Sequence, residues 1–187
     1  MGSNYVLGLN FLHSDTSACI FKDGVLIAAA EEERYTRVKH TSIFPINSVN
    51  FCLNEAKIDI SKVNTITINS NPFSSLLRKI IFTLKNLKRL NLAFKSIQNI
   101  KKKISIKKNI LKIDNKNYFK GKIKYIDHHE SHIASSLYFS KFEECVNLSI
   151  DGFGDFASCA WGKFQNNKLR IDKRINFPHS LGIFYQA

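Results

Sequence analysis

At 187 residues and 44% hydrophobic content, the chain can bury a core and fits one domain or part of a larger one, which excludes wholesale disorder. A formal charge of +13 raises phosphate-bearing partners, yet much of it lies between Arg78 and Lys124 among Ile, Leu and Asn, where a solvated helical face is favoured and nucleic acid is not expected. The opening MGSNYVLGLNF has no secretory pattern, no apolar run reaches membrane-spanning length and the four cysteines form no CxxC pair, so a cytoplasmic protein without a membrane span, zinc knuckle or disulfide framework is expected.

In chain order, Tyr5–Asn10 is a short β-branched run, and Ala18–Phe21 and Val25–Ala30 flank Asp23-Gly24, a turn pair that tolerates positive φ and predicts a hairpin beside the first strand. The run Glu31–His40 (EEERYTRVKH) is too polar for a core element and reads as a salt-bridged loop, with Arg37 and Lys39 available to an anion. Helical spacing from Ile46 to Ile58 follows Pro45, and Val63–Ile68 is a strand. The basic segment 72–122 starts as one amphipathic helix near Pro72, with apolar positions at Leu76, Leu77, Ile80, Ile81, Leu84 and Leu87. Lys122–Ile126 predicts a strand that runs into Asp127-His128-His129, and Ser131–Phe139 a helix. Val146–Ile150 is then a strand ending at Asp151-Gly-Phe-Gly-Asp155, followed by a hairpin around Asn166-Asn167 and a helix from about Ser180. This alternation, with acidic glycine-rich turns after strands, predicts an α/β layered fold whose ligands gather at strand ends.

Four clusters carry candidate chemistry. His128 and His132, four residues apart, put two imidazoles on one helical face for a divalent metal, with Asp151 at the end of the next strand as the third ligand; capping or surface histidines are the alternative. His13-Ser14-Asp15-Thr16-Ser17 could cradle an anion and supply a base, or be an ordinary polar turn. Gly152 and Gly154 let the backbone approach a phosphate, although turn chemistry explains them equally. Lys39 is the fourth candidate, as a clamp on an anionic intermediate.

Read in order, LGLNFLHSDTSACIFKDGVLIAAAEEERYTRVKHTSIFP, DHHESHIASSLYFSKF, DGFGD and FPHSLGIFYQA resemble the signature of the nodulation-type and antibiotic O-carbamoyltransferases. The resemblance covers Tyr5 to about Pro45 and Ile126 to the end, and not the basic middle. It implies an actin-like ATPase (ribonuclease H-like) superfold, with 1–187 as the amino-terminal part of a carbamoyl-transfer domain and 72–122 a variable segment within it. It implies His128, His132 and Asp151 as ligands of an Fe(II)-type metal, His13 as the base acting on an acceptor hydroxyl, and Lys39, Asp15, Gly152 and Gly154 near the nucleotide. ATP and carbamoyl phosphate would give a carbamoyl adenylate in a separate carboxyl-terminal domain, and the acceptor would be a sugar or natural product. Since that domain is not within these residues, the fragment alone is expected to be inactive. Two departures are Ser14 between His13 and Asp15, and Asp155 where relatives commonly have Glu. A kinase or hydrolase of the same superfold and a vestigial binding module are the alternatives.

Overall fold

The computed structural model describes residues 2–11, 13–85, 109–110, 113 and 119–187, in two compact units. The first comprises residues 1–69 and 91–125, the second 70–90 and 126–187.

In the first unit, β1 (Tyr5–Asn10), β2 (Ser17–Lys22), β3 (Val25–Glu31), β4 (Val63–Ile68) and β5 (Lys122–Tyr125) form one sheet in the order β3-β2-β1-β4-β5. The β1–β2 and β2–β3 pairs are antiparallel, β1–β4 and β4–β5 parallel. A meander of three strands extended by two parallel ones makes the sheet mixed, in keeping with the α/β alternation of the sequence. Alternation decides the faces: Leu7, Leu9, Ala18, Ile20, Ile66 and Ile68 point into the core. The β2–β3 turn falls on Asp23 (φ 51°) and Gly24 (φ 85°), as the Asp-Gly pair predicts. Parallel pairing of β1 with β4 requires a crossover, and α2 (Ile46–Glu55) lies on it, burying Val49, Cys52 and Leu53 at i, i+3, i+4 spacing.

The run expected to be a solvated loop is partly structural. A one-turn helix, α1 (Glu33–Thr36), follows β3, and Glu32 is fully buried. Its carboxylate accepts the main-chain N–H groups of Asn47 and Ser48 at the start of α2, together with Asn47 Nδ2 and Ser48 Oγ, at 2.7–3.2 Å. An acidic group at these amides satisfies donors a helix start leaves free.

The second unit holds α3 (Leu76–Lys85), α4 (His128–Leu137), the antiparallel sheet β6-β7-β8 (Cys145–Gly154, Ala157–Gln165, Lys168–Asn176) and α5 (Leu181–Gln186). Helix α3 starts four residues after Pro72 and seats Phe82 against Phe156 and Phe177 (centroids 5.9 and 5.0 Å), while Leu76, Leu77, Ile80, Ile81 and Leu84 stay exposed. Leu87 and most of 72–122 lie outside the described residues. Helix α4 starts at His128, three residues before the expected Ser131, because Asp127 caps it: Oδ1 accepts from the N–H of His129 and Glu130. Strand β6 also runs further than expected, through the glycines to Gly154. On it Asn147 and Ser149 are buried whereas Val146, Leu148 and Ile150 are exposed, and Ser149 Oγ meets His129 Nδ1 of α4 at 2.8 Å. Among the described residues no helix is long and apolar enough to cross a membrane.

Candidate metal centre

All three expected ligands fall in the second unit and meet. His128 and His132 project from one face of α4, and Asp151 comes from β6; one donor atom from each lies within 4.8 Å of the other two. His128 Nε2 is 2.7 Å from Asp151 Oδ2 and 3.0 Å from His132 Nε2, and His132 Nε2 is 3.7 Å from Asp151 Oδ2. Donors about 2.1 Å from one divalent ion and about 90–110° apart stand roughly 3.0–3.4 Å from each other, a range these separations bracket. The residues therefore fit a metal, and two imidazoles with one carboxylate form a donor set suited to iron(II) or zinc.

Electrostatics favour the deprotonated forms of His132 and Asp151. Burial, then His128, hold His132 below the usual imidazole value against the pull of Asp151. Burial pushes Asp151 up, but the hydrogen bond from His128, the Gly152 N–H at 2.6 Å and the two imidazoles outweigh it and hold the carboxyl below the usual range. Metal binding requires these deprotonated forms.

The scaffold fixes each ligand separately. The N–H groups of the first turn of α4 are taken by two carboxylates: Asp127 as cap, and Asp155, whose Oδ2 accepts from His128 N at 3.0 Å. Asp155 also accepts from Ser70 Oγ and Asn71 N, each at 2.6 Å. Asp127 Oδ2 accepts from Ser74 Oγ at 2.6 Å and pairs with Arg174 at 3.5 Å. Asp151 is buttressed from α5: Ser180 Oγ donates to the carbonyls of Asp151 and Gly152, and Gly182 lies so close to the Asp151 carbonyl that a β-carbon has no room. Asp127 and Gly182 do not stand out in the sequence, and Glu32 falls in the run expected to be a solvated loop; an Asp directly before HHES is the legible signal for the first.

The glycines of the DGFGD motif do different work from each other. Neither has positive φ; the turn falls instead on Asp155 (φ 52°) and Phe156 (φ 76°), a correction to the turn expected at the glycines. A β-carbon on Gly154 would collide with the His128 ring, whereas one on Gly152 would meet only Ile183 Cδ1, at 3.5 Å.

The remaining candidates belong to the first unit. His13 is half-buried on a bend after β1, and Asp15 (φ 61°) and Lys39 are exposed. The two loops that carry them meet: Asp15 Oδ1 lies 3.1 Å from Nδ1 of His40, the neighbour of Lys39, and Thr16 N donates to Thr41 O at 3.3 Å. Asn10 Nδ2 holds the Asp15 carbonyl at 2.8 Å.

The chain is 34% identical to the uncharacterized protein sll1178 of Synechocystis over 98% of its own length and 31% of that protein's. It is 30% identical to the nodulation protein NolNO of Sinorhizobium fredii over 94% of its length and 25% of that protein's, so it spans about a quarter to a third of these relatives. Among solved structures YeaZ from Pseudomonas aeruginosa is similar at 13% identity and a TM-score of 0.47, covering 94% of this chain and 68% of that one. The family described as carbamoyltransferase N-terminus matches residues 5–187, and the chain belongs to the carbamoyltransferase family, of which it carries the amino-terminal region.

Proposed function

We propose that this chain supplies the transfer site of an O-carbamoyltransferase, which moves a carbamoyl group from a carbamoyl adenylate to an acceptor hydroxyl on a sugar or natural product. The observation that carries the reading is the convergence of His128, His132 and Asp151 within a member of this family. In this reading the three hold a divalent ion, taken as iron(II) from the family resemblance, which as a Lewis acid offsets phosphate charge when bound. The adenylate, formed from ATP and carbamoyl phosphate, comes from a region of the relatives beyond the length this chain spans.

The acceptor oxygen attacks the carbonyl carbon while His13 takes the hydroxyl proton, and the carbonyl–oxygen bond to the adenylate phosphate breaks. Carbamoylated acceptor, AMP and a proton result. The leaving group is already good, so the residues mainly position the alcohol and accept its proton. Lys39 adds positive charge for the phosphate, Asp15 orders the loop beside it through His40, and Gly152 leaves space for nucleotide that Gly154 gives to His128.

The test uses a protein extended to the relatives' length, given ATP, carbamoyl phosphate and a polyhydroxylated acceptor, alongside anaerobic iron(II) binding by the 187-residue chain. One ion per chain, lost in His128→Ala and Asp151→Ala, and transfer abolished by His13→Ala are expected. Transfer that is indifferent to His128→Ala, with no iron bound, would sink the proposal.

A further inference from the structure

Away from the metal ligands, the second unit has a surface cavity of about 540 Å3, lined among others by Arg78, Trp161, Asp172, Lys173, Arg174 and Asn176. We propose that this cavity binds the phosphate group of a small organic phosphate.

A strand that alternates strictly sends neighbouring side chains to opposite faces, so Asp172, Lys173 and Arg174 would not line one cavity. They do because the β7–β8 register slips here: Trp161 pairs with Lys173 and Gly162 with Ile171, leaving Asp172 as an extra residue. Such a bulge re-aims side chains and is a common device at binding sites. Charge is then apportioned by partner. Arg174 Nη2 is taken by Asp127 and Glu130 at 3.5 and 3.3 Å, and the Asp172 carboxylate by Arg170 at 2.8 Å. Arg78, in the first turn of α3, and Lys173 have no carboxylate within ion-pair distance among the described residues. Two uncompensated cations of different type, one a planar fork and one a point charge, suit a phosphate dianion.

Trp161 supplies a half-buried aromatic wall for the organic part of such a ligand, and the volume lies within the roughly 300–1,000 Å3 of small-molecule sites. The site is distinct from the metal ligands. Glu130, which Arg174 reaches, is two residues from His128 and so about 200° around α4, on the face away from the ligand pair.

Trp161 is the sole tryptophan, so its emission reports this cavity directly. The 187-residue chain is titrated with inorganic phosphate and with AMP at constant ionic strength, chloride replacing each in a control. A saturable emission change is expected, with affinity falling at least tenfold in Arg78→Gln/Lys173→Gln and holding in Lys141→Gln/Lys168→Gln, which removes the same charge elsewhere. All four side chains are exposed, so the fold should persist, which far-UV circular dichroism checks. Equal affinities would identify phosphate alone as what is bound, and tighter AMP would add the nucleoside as part of the ligand. No saturable change, a change that chloride reproduces, or equal weakening by both double variants would overturn the site.

Discussion

The α-carbon of Gly154 is packed against the imidazole of His128, so closely that a β-carbon at that position would overlap ring atoms Cγ and Cδ2. The same hairpin turn sends Asp155 to the His128 N–H. One end of β6–β7 thus fixes a candidate ligand by its ring and by its main chain.

Gly154→Ala is therefore expected to displace His128, destabilise by about 1–3 kcal/mol as overpacking does, and weaken cobalt(II) or iron(II) binding at least tenfold. Gly152→Ala, with only Ile183 Cδ1 nearby, should stay within about 0.5 kcal/mol of wild type. Urea midpoints and metal titrations of the two variants check this. Equal behaviour of the pair would refute the packing argument.

Asp155 gathers a hydroxyl and two main-chain N–H donors. Truncating it removes three hydrogen bonds to a carboxylate, each worth about 1–3 kcal/mol where the donor is buried. Asp155→Ala is expected to destabilise the second unit by at least about 2 kcal/mol and to release amide protection at His128. Hydrogen exchange followed by peptide mapping measures both, and unchanged protection there would contradict the assignment.

How much of this was legible follows the range of the interactions. Asp23-Gly24 and Asn166-Asn167 announce their hairpins because turn conformation is local, and the i, i+4 spacing of His128 and His132 is a property of the helix alone. The start of α4 was misplaced because His128, His129 and Glu130 show no apolar period, although Asp127 marked the cap. Glu32 read as solvated since its partners, Asn47 and Ser48, lie 15 and 16 residues away. Gly154 read as a turn or phosphate-binding residue, and its contact with a side chain 26 positions earlier has no sequence signature.

Glu32 gives a prediction for the first unit. Its two carboxylate oxygens receive four donors, so Glu32→Gln turns an amide N–H₂ toward groups that themselves donate. A loss of about 2–3 kcal/mol is expected from the lost charge-assisted bonds. Glu33→Gln, at a half-buried position one residue later whose carboxylate takes none of these four donors, should cost far less and serves as the control. Chemical denaturation distinguishes them, and a stable Glu32→Gln protein would mean the buried carboxylate is not what anchors α2.

Cys52 yields a dependence on pH. Burial, and then the neighbouring Cys19, push its thiol from the ordinary value of 9.0 up to about 12, and its Sγ is held against the carbonyls of Ala18 and Ala28. The unfolded thiol ionises near its ordinary value and the folded one does not, so the unfolded state gives up a proton first. Folding stability contributed through this group is full below about pH 9 and declines as pH rises toward about 12. Cys52→Ala removes that term, so its stability should fall less steeply over this window than wild type, whatever the cost of the smaller side chain at neutral pH. At pH 8 the native Cys52 thiol should also resist alkylation until the unit unfolds, while half-buried Cys145 reacts sooner. Parallel alkaline slopes for the two proteins, together with prompt native-state labelling of Cys52, would show that this thiol is neither enclosed nor raised.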